Sequence, residues 1–137
     1  MKNILVLCTG NSCRSQMAEG YIKNFAGTRA NVFSAGLETH GVNPKAIAVM
    51  KEDGIDISSH TSNSISEYLN KPFDIVITVC DNARENCPNF PGNLTKIHKD
   101  FPDPAKATGS DEEVITQFRK VRDQIKKFSK EFVDKYL

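Results

Sequence analysis

The chain has 137 residues, a length that suits one domain with a single buried core, here residues 1–137. Its 18 Lys and Arg residues almost balance its 17 Asp and Glu residues, which leaves a formal net charge of +1. This balance argues against a general nucleic-acid or membrane-surface binder, since both need a basic excess. An anion site must therefore arise from local geometry rather than from bulk charge.

Apolar runs and cysteine spacing limit the compartment and the metal chemistry. The N-terminal apolar run covers only Ile4–Leu7, which is too short for a signal peptide or a membrane span. We therefore expect a cytoplasmic protein in a reducing compartment, where disulfides are more often catalytic than structural. The cysteines, at positions 8, 13, 80 and 87, lack the C-x2-C spacing of structural zinc sites, so we expect no such site.

The N-terminal part predicts a strand, a loop, a helix, a second strand and a second helix. Ile4–Leu7 is typical of a strand buried on both faces, and the small polar loop 8–15 follows it. A second strand is predicted over 31–35, and a second helix over 43–54, with Asn-Pro at its start and Gly at its end. Between the strands, apolar residues recur at helical spacing up to a glycine: Met17, Ala18, Tyr21, Ile22 and Phe25.

The middle of the chain has one strong strand signal. Residues 56–64 are polar and predict at most a short strand, followed by a helical turn around 65–69. The best strand, rich in β-branched residues, covers 73–79 and leads directly into Cys80. A loop or short helix is predicted over 81–92.

A last short strand and a long C-terminal helix complete the pattern. The strand is predicted over 95–98, the loop 100–109 follows, and residues 110–113 form a capping box with acidic side chains in the first helical turn. The alternation of strands and helices predicts an α/β fold, a three-layer sandwich with a four-stranded parallel sheet. The apolar stripe of the last helix indicates core packing: Val114, Phe118, Val121, Ile125, Phe128 and Phe132.

The loop after the first strand carries the strongest chemical signal. A loop that follows a buried strand and opens a helix directs backbone N–H groups and the positive end of the helix dipole toward an anion. Here the loop is C-x5-R, from Cys8 to Arg14, and not the G-x4-G-K-[ST] pattern of a nucleotide P-loop. Gly10 allows close backbone approach, Asn11 can adopt a left-handed conformation, and Arg14 can grip two oxygens of a tetrahedral oxyanion. The predicted oxyanion-binding residues are Thr9, Gly10, Asn11, Ser12, Cys13 and Arg14.

Cys8 is the predicted nucleophile of this loop. The N–H groups that hold an oxyanion would also stabilise a thiolate and lower its pKa below the value of about 8.5 of a free cysteine. Ser15 can donate a further hydrogen bond to this sulfur. A lone cysteine here would be a buried apolar residue that ends a strand, but the ordered loop around Cys8 favours the nucleophile. Packing inside the loop is the favoured role of Cys13.

Two further cysteines predict redox chemistry at the same edge of the sheet. Ligand sites of parallel sheets lie beyond the carboxyl ends of the strands, where we expect both Cys8 and Cys80. Cys87 follows in a segment that we expect to be mobile and long enough to bring it to Cys80. Three thiols placed in this way can transfer a disulfide by successive exchange from the loop cysteine toward the protein surface. The alternative is that Cys80 and Cys87 are two unrelated buried cysteines.

Asp103, which precedes Pro104, is the candidate acid. Its loop can fold over the same sheet edge, where a carboxylic acid can protonate a leaving oxygen. By itself an Asp-Pro pair indicates only a turn, and the C-x5-R loop is what favours the catalytic interpretation. His60 and His98 are expected to be surface or hydrogen-bonded core residues, and we assign them no role.

Together these residues resemble a known family. The chain is similar to the thioredoxin-coupled arsenate reductases, which share the fold of the low-molecular-weight protein tyrosine phosphatases. The pair Cys80 and Cys87 makes the resemblance specific, since ordinary members of the phosphatase family lack it. The matching segments run over nearly the whole chain: Cys8–Gly20, Ser34–Gly36, His40–Pro44, Asp56–Ser58, Thr78–Cys80, Cys87–Pro88, Asp103–Ala105 and Val121–Asp123.

The resemblance implies reduction of arsenate to arsenite by a relay of three thiols. Cys8 attacks arsenate held by the loop and Arg14, and Asp103 is the acid for the departing hydroxide. Cys80 then attacks Cys8 and expels arsenite. Cys87 attacks Cys80 in turn, and reduced thioredoxin resets the resulting disulfide. Each exchange needs a thiolate in line with a sulfur, so the segment between the last two cysteines must move or partly unfold.

The resemblance also implies ligands and partners. Phosphate and sulfate are expected to compete with arsenate, thioredoxin is the expected protein partner, and we expect a monomer without nucleic-acid or membrane partners. Asn63 stands where many relatives carry an acid of a potassium site, which argues against potassium, and Pro102 replaces a second acid before the Asp-Pro pair. The positions that match the potassium site of some relatives are Asn11, Glu19, Ser34, Thr61 and Asn63.

Two other functions stay open at the level of the sequence. A low-molecular-weight phosphotyrosine phosphatase would need Cys8, Arg14 and Asp103, but neither Cys80 nor Cys87. No paired tyrosines follow Asp103 to line an aryl cleft, which counts against this alternative, although weak phosphatase activity can persist as a by-product of the shared loop. A non-enzymatic redox or oxyanion sensor would instead use Cys80 and Cys87 to switch a partner without multiple turnovers.

Overall fold

A computed structural model describes residues 1–137 and contains four strands and four α-helices. The strands are β1 (Lys2–Cys8), β2 (Ala30–Gly36), β3 (Ile75–Thr78) and β4 (Thr95–His98). The helices are α1 (Arg14–Ala26), α2 (Pro44–Glu52), α3 (Asp81–Glu85) and α4 (Asp111–Tyr136). Short 3₁₀ turns lie at 27–29, 65–68 and 104–106.

The four strands form one parallel sheet in the order β2-β1-β3-β4. The apolar run Ile4–Leu7 of β1 is buried because strands flank it on both edges and other layers cover both of its faces. The register pairs Cys8 with Gly36 and Leu7 with Thr78, so the carboxyl ends of β1, β2 and β3 meet at one edge of the sheet. Parallel sheets form their ligand sites at this edge.

Helices and an aromatic cluster cover the two faces of the sheet. α1 lies on β1 and β2, and α4 and α2 pack alongside α1. Ser34 of β2 donates to Glu19 of α1, so its neighbour Phe33 points to the opposite face. The predicted three-layer α/β sandwich with a four-stranded parallel sheet is confirmed. Ring contacts with centroids 5.6 to 6.1 Å apart join the cluster on the second face, which consists of Phe33, Tyr68, Phe73 and Phe90.

The helix ends follow the local sequence signals. The Asn43 side chain accepts a hydrogen bond from the main-chain N–H of Lys45 at 2.9 Å and caps α2 ahead of its first-turn proline. Ser110 and Glu113 form the predicted capping box of α4. The stripe of α4 enters the core through Phe118, Val121, Ile125 and Phe132.

Three segments show how tertiary contacts modify the predicted pattern. β3 begins at Ile75 and not at Phe73, whose ring packs in the aromatic cluster. Residues 56–64 form no strand, and a single bridge joins Gly36 to Ser64. The segment 81–92 begins with the short helix α3, which is one of its two expected forms.

No helix of the chain has both the length and the apolar character that crossing a membrane requires.

Candidate active site

The loop between β1 and α1 brings main-chain atoms into close contact. Asn11 has a φ of 48°, which is the left-handed conformation that the sequence predicts for it. A Cβ atom on Gly10 would lie 2.8 Å from Nδ1 of His40, whose ring packs against the loop. A Cβ atom on Gly36, at the end of β2, would lie 2.8 Å from the main-chain nitrogen of Asn11. Glycine at both positions therefore allows β2 and His40 to support the loop directly.

Asn11 is fully buried and uses its whole amide group to hold the loop. Its Nδ2 donates to Ser15 Oγ at 2.8 Å and to Ser34 Oγ at 2.9 Å, and its Oδ1 accepts from the main-chain N–H of Asn63 at 2.8 Å. The structure shows no hydrogen bond from Ser15 to the Cys8 sulfur, where we expected one, and the Ser15 hydroxyl oxygen instead accepts from Asn11. In this structure Ser15 therefore supports the loop through Asn11.

A cavity of about 270 Å³ opens above the loop at the carboxyl edge of the sheet. Arg14 reaches it from the start of α1, and Asp103 reaches it from the segment before the 104–106 turn. His40 and Lys106 add two basic side chains to which we assigned no role from the sequence, since neither has a spacing to other residues that suggests chemistry. The complete lining is Cys8, Thr9, Gly10, Ser12, Cys13, Arg14, His40, Asp103, Ala105 and Lys106.

Arg14 is fixed from two sides at the mouth of the cavity. Its Nη1 donates to the main-chain oxygen of Phe101 at 3.0 Å, and its Nη2 lies 3.6 Å from Oδ2 of Asp103. Asp103 also accepts a hydrogen bond from the main-chain N–H of Ala105 at 3.0 Å and thereby caps the 104–106 turn. The Asp103 loop thus folds over the sheet edge, as the sequence predicts, and places a carboxylate beside the guanidinium.

Cys8 and Cys80 lie next to each other at the ends of the neighbouring strands β1 and β3. Both residues are buried, with a relative exposure of 4% each. The Thr9 hydroxyl oxygen lies 3.4 Å from the Cys80 sulfur and accepts a hydrogen bond from Asn82 Nδ2 at 3.0 Å. Because Asn82 fills an acceptor position of that oxygen, the Thr9 hydroxyl hydrogen is free to point at Cys80. The structure thus brings together two thiols that we predicted at one sheet edge.

The two thiols share one negative charge near neutral pH. The hydrogen bond from Cys8 lowers the pKa of Cys80 to about 5, and the Thr9 hydrogen bond and the Arg14 charge act in the same direction against burial. The same contact with Cys80, together with burial, raises the pKa of Cys8. This distribution differs from the low pKa that the sequence predicts for Cys8, because a neighbouring thiol competes for the charge.

Cys87 lies apart from this pair. Its half-buried thiol donates to the main-chain oxygen of Pro88 at 3.5 Å, and burial raises its pKa. α3 occupies most of the segment between Cys80 and Cys87, so at 1.5 Å per helical residue their Cα atoms lie on the order of 10 Å apart. A disulfide needs Cα atoms within about 7 Å of each other. Cys80 and Cys87 can therefore join only if α3 unwinds.

Cys13 has the environment of a packing residue. It is buried at the start of α1, and burial raises its pKa to about 11, although the Ser12 hydroxyl, 3.7 Å from the sulfur, opposes this change. A thiol with such a pKa stays protonated near neutral pH and is a poor nucleophile. Its place in the cavity lining is therefore structural.

The five positions of the possible potassium site lie in one hydrogen-bonded group, but they do not fit a cation. The Asn11 amide donates into this group, and the Glu19 carboxylate accepts from Ser34. The other Glu19 oxygen pairs with Lys23 and lies 3.7 Å from Nε2 of His60. The ammonium group of Lys23 therefore already balances the only carboxylate of the group. The five residues are Asn11, Glu19, Ser34, Thr61 and Asn63.

Comparisons with known proteins agree with this geometry. The family model for low molecular weight phosphotyrosine protein phosphatases matches residues 3–136. An arsenate reductase from Halalkalibacterium halodurans is 53% identical over 133 residues, which cover 97% of this chain and 96% of that protein. A solved structure of an arsenate reductase in the oxidized state is 36% identical, with a TM-score of 0.82 and 98% of each chain covered. Another, of an arsenate reductase in the phosphate binding state, is 36% identical, with a TM-score of 0.76 and 100% of each chain covered.

The matched region includes every residue of the candidate site. It contains the C-x5-R loop, the thiol pair of Cys8 and Cys80, the more distant Cys87, and Asp103. The relatives that share more than half of their residues with this chain are enzymes, named as arsenate reductases. The chain therefore belongs to the low molecular weight phosphotyrosine protein phosphatase family, and within that family it stands with the arsenate reductases.

Proposed function

We propose that the chain reduces arsenate to arsenite through a thiol–disulfide relay of Cys8, Cys80 and Cys87, and that thioredoxin resets the relay. The observation that carries the proposal is the second thiol, Cys80, which lies beside the nucleophile of an oxyanion loop at the end of the neighbouring strand and 3.4 Å from the loop residue Thr9. A hydrolase needs no thiol there, since water completes its reaction. A reductase does need one, because two sulfur atoms must supply the two electrons that arsenic gains.

Arsenate binding would use the cavity above the loop. A tetrahedral oxyanion can accept hydrogen bonds from the loop N–H groups and from the Arg14 guanidinium, while Lys106 and His40 add positive or hydrogen-bonding groups at the wall. Phosphate and sulfate have the same shape and should compete for this space. The relative solved in a phosphate binding state supports this expectation.

The first chemical step joins Cys8 to arsenic. Cys8 becomes a thiolate when its proton moves to Cys80 along their shared hydrogen bond. The sulfur then attacks arsenic, an S–As bond forms, and one As–O bond breaks. Asp103 lies at the cavity and donates the proton with which the departing oxygen leaves as water. No electrons have reached arsenic at this stage.

The second step reduces arsenic. Cys80 loses its proton to solvent, and its thiolate attacks the sulfur of Cys8. A Cys8–Cys80 disulfide forms, the S–As bond breaks, and its electron pair stays on arsenic, which leaves as arsenite. The buried position of both thiols supports this step, because the attacking and receiving sulfurs are already neighbours.

The third step moves the oxidation to Cys87. Once α3 has unwound, the Cys87 thiolate attacks the Cys80 sulfur, and Cys8 departs as a thiolate ready for another arsenate. The dithiol of thioredoxin then reduces the Cys80–Cys87 disulfide and becomes a disulfide itself. Such a relay needs a reducing compartment, so we place the protein in the cytoplasm and expect it to act as a monomer.

The test is arsenite release in the presence of thioredoxin, thioredoxin reductase and NADPH. We expect continuous turnover by the wild type and at most one arsenite per chain from Cys87→Ser, because this variant stops at the Cys8–Cys80 disulfide. Cys13→Ser is the matched control and should keep turning over. Sustained thioredoxin-driven release by Cys87→Ser, or no release by the wild type, would overturn the proposal.

A phosphatase activity is the second candidate, and the shared C-x5-R loop favours it as a by-product. The three tyrosines of the chain, Tyr21, Tyr68 and Tyr136, all lie outside the cavity lining, so no tyrosine can stack on an aryl leaving group. Cys80→Ser separates the two activities. It should abolish arsenate reduction and leave the slow hydrolysis of an aryl phosphate in place.

A further inference from the structure

A chain of hydrogen bonds ties the start of α3 to the ends of two strands. Oγ1 of Thr78, the last residue of β3, lies 2.8 Å from Nδ1 of His98, the last residue of β4. Nε2 of the same imidazole lies 2.9 Å from Oδ1 of Asp81, the first residue of α3. His98 therefore uses both ring nitrogens to bridge the sheet and the helix that follows Cys80.

In the contact between His98 and Asp81, His98 is the hydrogen-bond donor. A carboxylate only accepts hydrogen bonds, so Nε2 of His98 carries the hydrogen and donates. Arg84 also lies near the same Asp81 oxygen, at 3.7 Å, but its side chain is 56% exposed, whereas the His98 side chain is 22% exposed. The His98 contact has hydrogen-bond length, 2.9 Å, whereas the Arg84 contact is an exposed ion pair at 3.7 Å, which contributes little to stability, so His98 is the stronger partner of Asp81.

α3 depends on such contacts because it is short. Its five residues cannot form a stable helix by their own hydrogen bonds, and Ala83 is its only buried residue. Two side chains of its first turn tie it down, Asp81 to His98 and Asn82 to Thr9. The Asn82 contact belongs to the group around Cys8 and Cys80. The Asp81 contact lies outside that group and can be changed separately.

We propose that His98 is a positioning residue of the relay, which holds α3 closed through Asp81 and thereby sets how readily Cys80 leaves Cys8 for Cys87. The inference rests on the proposed relay and deepens it. While the bridge is intact, Cys80 stays beside Cys8 for the first exchange. When the bridge opens, α3 can unwind and bring Cys87 to Cys80. His98 gains or loses no electrons in either exchange, and its proton on Nε2 only moves with the ring.

The first test measures the reduction potential of the pair Cys80 and Cys87. The background is Cys8→Ser with Cys13→Ser, equilibrated with oxidised and reduced dithiothreitol, so that only this pair forms a disulfide. His98→Ala should favour the disulfide by about three- to tenfold, because opening no longer breaks a hydrogen bond. A tenfold change lowers the potential by about 30 mV. Lys99→Ala, an exposed neighbour, is the control and should leave the potential unchanged.

The second test follows a single turnover with arsenate in the protein that keeps all four cysteines. Acid quenching and mass spectrometry separate the Cys8–Cys80 from the Cys80–Cys87 disulfide. His98→Ala should convert the first disulfide into the second about three- to tenfold faster. Asp81→Ala should have a similar effect, and the double variant should add little, since both changes remove the same hydrogen bond. Asp81→Asn keeps an acceptor and should stay nearer to the wild type.

The outcomes separate this inference from the relay itself. If the Cys80–Cys87 disulfide forms but His98→Ala leaves both its potential and its rate of formation unchanged, the positioning role is refuted while the relay stands. If no variant forms that disulfide, the relay fails and the inference fails with it. A third outcome, in which His98→Ala lowers thermal stability and slows every step equally, would reduce His98 to a support of the fold and would also refute the inference.

Discussion

Arg14 donates to the main-chain oxygen of Phe101 at 3.0 Å while another of its guanidinium nitrogens lies 3.6 Å from the carboxylate of Asp103. The residue that is expected to grip the oxyanion therefore also holds the segment that carries the expected acid. Binding and proton donation are thus linked through a single side chain. An oxyanion that draws the guanidinium toward itself also affects where Asp103 stands.

Asp103→Asn should slow the first chemical step by about 10²- to 10⁴-fold, the usual contribution of a positioned acid. The amide still accepts the hydrogen bond from Ala105 that caps the turn, so the loop should keep its place. Rapid-quench measurement of arsenite in a single turnover checks this expectation. Asp100→Asn, an exposed acid in the same segment, is the control. A wild-type rate for Asp103→Asn would remove this residue from the mechanism.

Cys8→Ala should raise the pKa of Cys80, because the contact with Cys8 is the largest of the effects that lower it. In the wild type, with a Cys80 pKa of about 5, the thiolate persists above that pH and is lost as the pH falls through it. In the variant this loss should occur at a higher pH. Absorbance of the thiolate at 240 nm against pH measures the shift, and Cys13→Ala is the control. An unchanged midpoint would show that the two thiols do not share their charge.

Asn11→Ala should lower the free energy of unfolding by about 2–4 kcal/mol, because Ser34 and the Asn63 main chain lose their partner and alanine is strained at a φ of 48°. Asn11→Gly removes the same hydrogen bonds without that strain, so its loss should be about 1–2 kcal/mol smaller. Urea unfolding compares both variants with Asn89→Ala, an exposed control. Equal losses for the two Asn11 variants would contradict the argument from backbone strain.

Potassium should not stabilise the wild type more than sodium does. The oxygens that would bind the ion already accept or donate hydrogen bonds within the group around Glu19, and Lys23 supplies a positive charge there. Melting temperatures in equal concentrations of the two chlorides measure this directly. Lys23→Gln is the informative variant, because it leaves Glu19 with less positive charge nearby. If potassium raises the melting temperature of any variant, it should be this one. A potassium-specific rise in the wild type would show that the ion displaces these contacts.

Local signals in the sequence were enough to predict most of the fold. The run Ile4–Leu7 fits a strand covered on both faces, and the capping residues Asn43 and Ser110 mark helix starts that the structure contains. The C-x5-R loop could also be located, because its function depends on a turn and a helix start that are contiguous in the chain. The start of β3 was less predictable, since Phe73 lies outside the strand and packs against residues far away in sequence.

The finer chemistry of the site could not be predicted, because it depends on distances between segments that are far apart in the chain. The partner of Ser15 is Asn11 and not Cys8, and the shared charge of Cys8 and Cys80 exists only because β1 and β3 are neighbours. His40 contacts the loop through a glycine, a contact that no spacing rule reveals. Such pairings come from the sheet order and not from any local pattern.

The contacts that hold the oxyanion loop in place differ between its two flanks, at Thr9 and at Asn11. Asn11 binds the loop to buried side chains of the core, whereas on the other flank the side chain of Thr9 contacts Cys80 and the five-residue helix that follows it. Unwinding of that helix should therefore leave the Asn11 flank of the loop in place. The oxidised protein should therefore still bind tetrahedral anions before thioredoxin reduces it. An abundant anion such as phosphate can occupy the loop during that interval and delay the next turnover.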